Sequence, residues 1–138
     1  MSPSAAYANR TVAAFFGTPN LLAAKVTEVR RDGPDVIARV DGEGWDGWCA
    51  APATVQSGDT VTVIVRPEMI RFGVAAAGRG IAWKGVVRQR IFHGARNVYV
   101  VEVGTLRLTV DAAPDQAVSP DATVTLCVDH AHTWAARD

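Results

Sequence analysis

A period of two runs through most of this chain, and no other feature narrows its possible folds as much. Val36, Ala38 and Val40 alternate with Ile37 and Arg39, and Val61, Val63 and Val65 alternate with Thr60, Thr62 and Ile64. The spacing returns in Leu106, Leu108 and Val110, interleaved with Thr105, Arg107 and Thr109. It returns again in Val124, Leu126 and Val128, interleaved with Thr123, Thr125 and Cys127. Residues i and i+2 project from one face of a strand, so each segment predicts a strand with one buried side. Residues 24–31, 45–50, 85–92 and 97–103 are further strand candidates. Turn chemistry separates them: Asp32-Gly33-Pro34-Asp35, Asp41-Gly42-Glu43-Gly44, Ser57-Gly58-Asp59 and Val103-Gly104-Thr105. Short strands at this spacing predict an all-β barrel or sandwich. The Ala- and Gly-rich run 74–80 predicts a loop dividing two β halves.

The first residues follow a different rule. Ala8, Thr11, Val12, Phe15 and Phe16 fall at helical spacing, with Asn9 as N-cap and Gly17 and Pro19 as the stop. This predicts a short amphipathic connector helix within residues 1–20, its apolar face packed on a β-barrel of residues 21–138 or else on something upstream.

Composition excludes several functions. Lys+Arg and Asp+Glu both total 14, for a formal net charge of +0. A nucleic-acid binder draws most of its affinity from phosphate neutralisation, so a neutral chain argues against that partner. The acidic neighbours Asp41, Glu43 and Asp46 of Trp45 and Trp48 argue the same way, and the four tryptophans read as packing or interface residues. The two cysteines, Cys49 and Cys127, are far apart and form no CxxC, which predicts buried free thiols. The N-terminus lacks the cationic start and apolar run of a signal peptide, and no apolar stretch reaches the ~20 residues of a spanning helix. These features predict a soluble intracellular domain.

Catalytic motifs are missing. There is no G-x-x-x-x-G-K-[ST] phosphate loop, no G-x-S-x-G elbow and no H-E-x-x-H zinc motif. Cys127, Asp129, His130 and His132 are the most metal-like cluster. His130 and His132 share a face if the strand continues, but no third ligand is supplied, and an ordinary terminal strand is the expectation. Two segments carry more. In Val65-Arg66-Pro67-Glu68-Met69-Ile70-Arg71-Phe72 a strand runs into Pro67, which lacks an N–H and suits the first position of a helical turn. Glu68 then lies where the backbone dipole favours negative charge, within reach of Arg66 or Arg71. Ile91-Phe92-His93-Gly94 ends a strand at a glycine bend.

Taken in order, these segments resemble the C-terminal region of the ATP-binding subunit of ABC importers, with the spermidine/putrescine, iron and related classes fitting best. Tyr7 and Thr11–Leu22 are similar to the family's junction between the nucleotide-binding domain and its β extension. Ser57-Gly58-Asp59 and Val63-Ile64-Val65-Arg66-Pro67-Glu68 are similar to its "G…V.V.VRPE.I" run. Gly85-Val86-Val87, Phe92-His93-Gly94, Tyr99-Val100-Val101, Val124-Thr125-Leu126 and Trp134 match its last third. Thr18-Pro19-Asn20 departs from the "SARN" segment of molybdate-binding relatives.

The resemblance implies a TOBE (transport-associated OB) domain: an OB-like β-barrel, TOBE/MOP-like, built of two β halves that interleave. It further implies a non-catalytic regulatory and dimerisation role for an ABC transporter ATPase. Arg66, Glu68, Arg71 and His93 are then structural, interface or ligand candidates. No cofactor is expected in this chain, since ATP and Mg belong to the ATPase domain that would precede it. Implied partners are that nucleotide-binding domain, a second ATPase subunit in a homodimer, the permease subunits, and a small-molecule regulator. The implied location is cytoplasmic, peripheral at the inner face of the cell membrane. The alternatives are a free-standing oxyanion-binding domain of the molybdate type and, third, an oligonucleotide-binding OB module.

Overall fold

The computed structural model describes residues 18–73, 79–113 and 117–137, with the backbone alone for Asp32 and His93. The expected connector helix falls on residues outside those described.

Among the described residues ten strands form one antiparallel system: β1 (Asn20–Asp32), β2 (Asp35–Gly42), β3 (Trp45–Ala50), β4 (Thr60–Val65), β5 (Arg71–Phe72), β6 (Gly80–His93), β7 (Arg96–Val103), β8 (Leu106–Ala112), β9 (Thr123–Asp129) and β10 (Thr133–Arg137). The path runs β10-β4-β1-β2-β3-β6-β7-β8, with β9 joining β6 and β5 joining β9. The fold is thus all-β, as the alternation predicts, and takes the form of the OB-like barrel that the resemblance implies. Burial follows the period of two in β2 and β4, where Ala38, Val40, Val61, Val63 and Val65 have no exposed surface. Each such valine stabilises the fold by about 1.5–3 kcal/mol through removal from water.

The element order repeats. Strands β1–β4, a 3₁₀ turn at Pro67–Met69 and β5 correspond to β6–β9, a 3₁₀ turn at His130–His132 and β10. The registers correspond too. Lys25 faces Thr60 in β1–β4 as Val86 faces Thr123 in β6–β9. β1 bulges between Val26 and Glu28, and β6 between Val87 and Gln89. At each bulge the valine amide donates to the loop before the paired strand β4 or β9, Val26 to Asp59 O and Val87 to Ala122 O, both at 2.9 Å. The loop residue that donates back is Gly58 (φ 94°) in one case and Asp121 (φ 70°) in the other, both left-handed.

The two units then exchange their last strands. β5 leaves the first and pairs with β9, Arg71 facing Cys127. β10 leaves the second and pairs with β4, Trp134 facing Ile64 at the corresponding step. Phe72 on the exported β5 meets Tyr99 of β7 edge to face, ring centroids 5.3 Å apart. A third seam joins β3 to β6 at Gly47–Ile81, where a Cβ on Gly47 would lie 2.6 Å from Gly80 O and 2.8 Å from Ile81 Cα. Only glycine permits that approach. One apolar core consequently runs through both units, from Leu22 and Val63 to Tyr99 and Leu126.

One expectation is corrected. Residues 130–132 do not extend the terminal strand but turn as a 3₁₀ helix. Asp129 caps that turn by accepting from the Ala131 amide at 2.9 Å, so His130 and His132 do not share a strand face.

Candidate functional site

The most chemically distinctive place in the chain is the first corner, where β4 turns into β5. Pro67 opens the turn, buried, with no amide hydrogen to leave unsatisfied. The amides of Met69 and Ile70 then donate to Arg66 O at 3.0 Å and Pro67 O at 3.4 Å. Glu68 sits in the turn and forms an ion pair with Arg66, Nε to Oε1 3.5 Å. Both side chains are about half exposed, so the pair contributes at most about 1 kcal/mol.

Arg71, next on β5, stands opposite Cys127 of β9. Burial pushes the Cys127 thiol up, and the nearby Arg71 guanidinium pulls it partly back. Facing Arg71 across a cavity of about 300 Å³ are Arg96 at the start of β7 and Asp111 near the end of β8, over a floor of Ile70 and Ala112. Arg96 is held by Asp111, its Nε on the carboxylate and its Nη2 donating to Asp111 O at 3.1 Å.

Glu68 is answered by Arg66, and Asp111 by Arg96. Arg71 makes no ion pair or hydrogen bond with another described residue, so among the described residues the cavity keeps one uncompensated guanidinium with its fork of N–H donors. Such a group suits an anion that offers several oxygens.

Of the four residues singled out in the sequence, Glu68 and Arg71 line this cavity, and Arg66 braces Glu68 from its shoulder. His93 ends β6 with its backbone opposite Arg96, beside the site. Arg96 and Asp111 were missed. Arg96 follows a glycine bend and Asp111 ends an unremarkable strand, and only the packing of β8 against the Pro67–Met69 turn brings them to Arg71. Asn20 was missed as well. The residue is 8% exposed, and its side-chain amide donates to Val65 O (3.2 Å) and Thr109 O (2.9 Å) while accepting from Thr109 N at 2.8 Å. It thereby serves as a strand partner for β8. No group of three metal-ligating side chains converges among the described residues. No helix of the structure is long and apolar enough to cross a membrane.

The TOBE domain model matches residues 63–135, more than half of the chain, from β4 to β10. No curated protein matches it. Among solved structures, the fold is similar to that of the cytoplasmic molybdate-binding protein ModG, in a crystal form with molybdate bound. The TM-score is 0.76 at 9% identity, over 84% of this chain and 94% of that one. At this identity the likeness is one of fold.

Proposed function

The chain belongs to the TOBE domain family, and from that premise we propose that it is a non-catalytic domain that binds a small oxyanion at the first corner. The uncompensated Arg71 guanidinium in the corner cavity carries this reading. The fold likeness to a protein with molybdate bound supports it. Arg71 supplies the net charge, Arg96 adds donors from the opposite wall, and Arg66 keeps Glu68 neutralised so that it does not repel the ligand. Calorimetric titration of the chain with molybdate, tungstate, sulfate and phosphate tests the proposal. One of them is expected to bind at one per chain, and Arg71→Ala to weaken it tenfold or more, the effect of losing one charge-assisted hydrogen bond of about 1.5 kcal/mol or more. No heat from any anion, or unchanged affinity in Arg71→Ala, refutes it.

A second reading concerns where the domain works. The run Val63–Glu68 and the later Phe92-His93-Gly94 lie within the matched residues, and the resemblance at Thr11–Leu22 lies before them. Together they favour the regulatory and dimerisation end of an ABC importer's ATP-binding subunit, at the inner face of the cell membrane. Its partners would be a nucleotide-binding domain, a second such subunit and the permease. Ligand at the corner would then act by favouring one spacing of two ATPase sites over another. The gene's reading frame decides: a phosphate loop encoded upstream supports this reading, and its absence removes it.

A further inference from the structure

The strand exchange creates a second corner at the turn into β10, and its cavity is larger, about 460 Å³. By the shared register, Trp134 stands where Arg71 stands at the first corner, Asp35 where Arg96 stands, Ala131 where Glu68 stands and Ala50 where Asp111 stands. All four line the cavity. One guanidinium is replaced by an indole, the other by a carboxylate, and both acidic groups by methyls.

From this inversion we infer that the second corner is a binding site for an organic ammonium cation. Trp134 is 46% exposed, one of the few large apolar side chains left to solvent. An indole face attracts ammonium groups through its quadrupole, most strongly where water is partly excluded. Asp35 forms no ion pair with a described residue and supplies the opposing charge. Ala51, Pro52, Val36 and Ile37 provide apolar wall for the carbon skeleton of such a ligand.

Two other charged or titratable groups near the cavity are engaged. His130, on the cavity wall, has its Nδ1 3.3 Å from Asp129 Oδ1 and 3.4 Å from Arg79 O. Arg31 donates to Ala53 O at 3.0 Å, which ties that guanidinium to a carbonyl beside the cavity. The site shares no lining residue with the oxyanion corner, so it stands or falls separately.

Choline and its neutral isostere 3,3-dimethylbutan-1-ol have the same shape and differ in charge, so together they test the inference. Binding is followed by indole fluorescence and by NMR of the full chain. Choline is expected to bind saturably at one per chain and the alcohol at least tenfold more weakly. Trp134→Leu is expected to abolish binding, Asp35→Asn to weaken it at least tenfold, and Arg71→Ala to leave it unchanged. Both substituted side chains are solvent-facing, and a wild-type amide spectrum away from the corner verifies their folding. Equal binding of alcohol and choline, no response to choline, or full affinity in Asp35→Asn overturns the inference. Displacement of choline by added molybdate would also overturn it, by showing one site instead of two.

Discussion

At the first corner a proline starts the turn, with its fixed φ and missing N–H, and the cap residue Arg66 makes no side-chain cap hydrogen bond. At the second corner an aspartate starts it, and the Asp129 carboxylate accepts from the Ala131 amide. The first corner then exports two residues of strand, Arg71–Phe72, and the second exports five, Thr133–Arg137. The second is also tied to its neighbour, since Thr133 Oγ1 donates to His130 O at 2.8 Å and accepts from Ala50 N at 3.2 Å. Ile70, the equivalent of Thr133, is buried but has no such side-chain bonds. The backbone path is set by register and by the need to cover each barrel's open edge. The side chains that face the cavity are free of both demands, so one corner collects guanidinium groups and the other an indole and a carboxylate.

The largest expected effect comes from breaking the longer exchange. Deleting residues 133–138 strips β4 of one of its two strand partners and removes buried Thr133 and Ala135 from the core. The chain is expected to lose its cooperative urea transition. Phe72→Ala, which weakens the shorter exchange, is expected to lower stability by only about 2–3 kcal/mol, because Phe72 is partly buried. Equal damage from the two would mean that the exchanges are energetically alike.

A second contrast lies inside the barrels. Burial pushes the Cys49 thiol up from 9.0 to about 12, while its equivalent by register is Val110, which does not titrate. The folded thiol stays protonated where the unfolded one ionises, so its stabilising contribution is whole below pH 9 and is lost as pH rises from 9 toward 12. The decline is about 1.4 kcal/mol per pH unit. Urea midpoints from pH 8 to 11 should fall in the wild type and fall less in Cys49→Val. Parallel curves would contradict the assignment.

Gly58 and Asp121 hold one left-handed position in the two units. Gly58→Ala is expected to cost about 1–2 kcal/mol, whereas Asp121→Gly relieves strain and gains up to about 1 kcal/mol. Arg88, 3.4 Å from the very exposed Asp121, offsets little of that gain. Thermal melts of the two variants should therefore shift in opposite directions. The smallest effect is at the turn starts: Asp129→Ala should cost about 1 kcal/mol and Pro67→Ala less.

The strands were legible because a half-buried strand writes its period into the sequence, as Val61, Val63 and Val65 do. Pro67 likewise announced its turn by chemistry that few other positions accept. The second turn was not legible, since Asp129 caps it with a side chain equally at home at a strand end, and alternation through Val128 suggested continuation. The strand exchange is carried by pairings between residues far apart in the chain, such as Ile64 with Trp134, which no local pattern encodes. The cavity was half legible for the same reason. Glu68 and Arg71 lie in a segment with its own signature, whereas Arg96 and Asp111 become relevant only when β7 and β8 meet the corner. Asn20 shows the limit most plainly, because its partners Val65 and Thr109 are known only from the folded chain.

The most direct test of the corner contrast is an amide NMR titration of the intact chain with molybdate, or with whichever oxyanion calorimetry selects. Shifts are predicted at Glu68–Phe72, Arg96 and Asp111–Ala113, with Asp35, Ala50–Ala53 and His130–Trp134 unmoved. Shifts centred on the second corner, or spread equally over both, would contradict the claim that one backbone design carries two opposed chemistries.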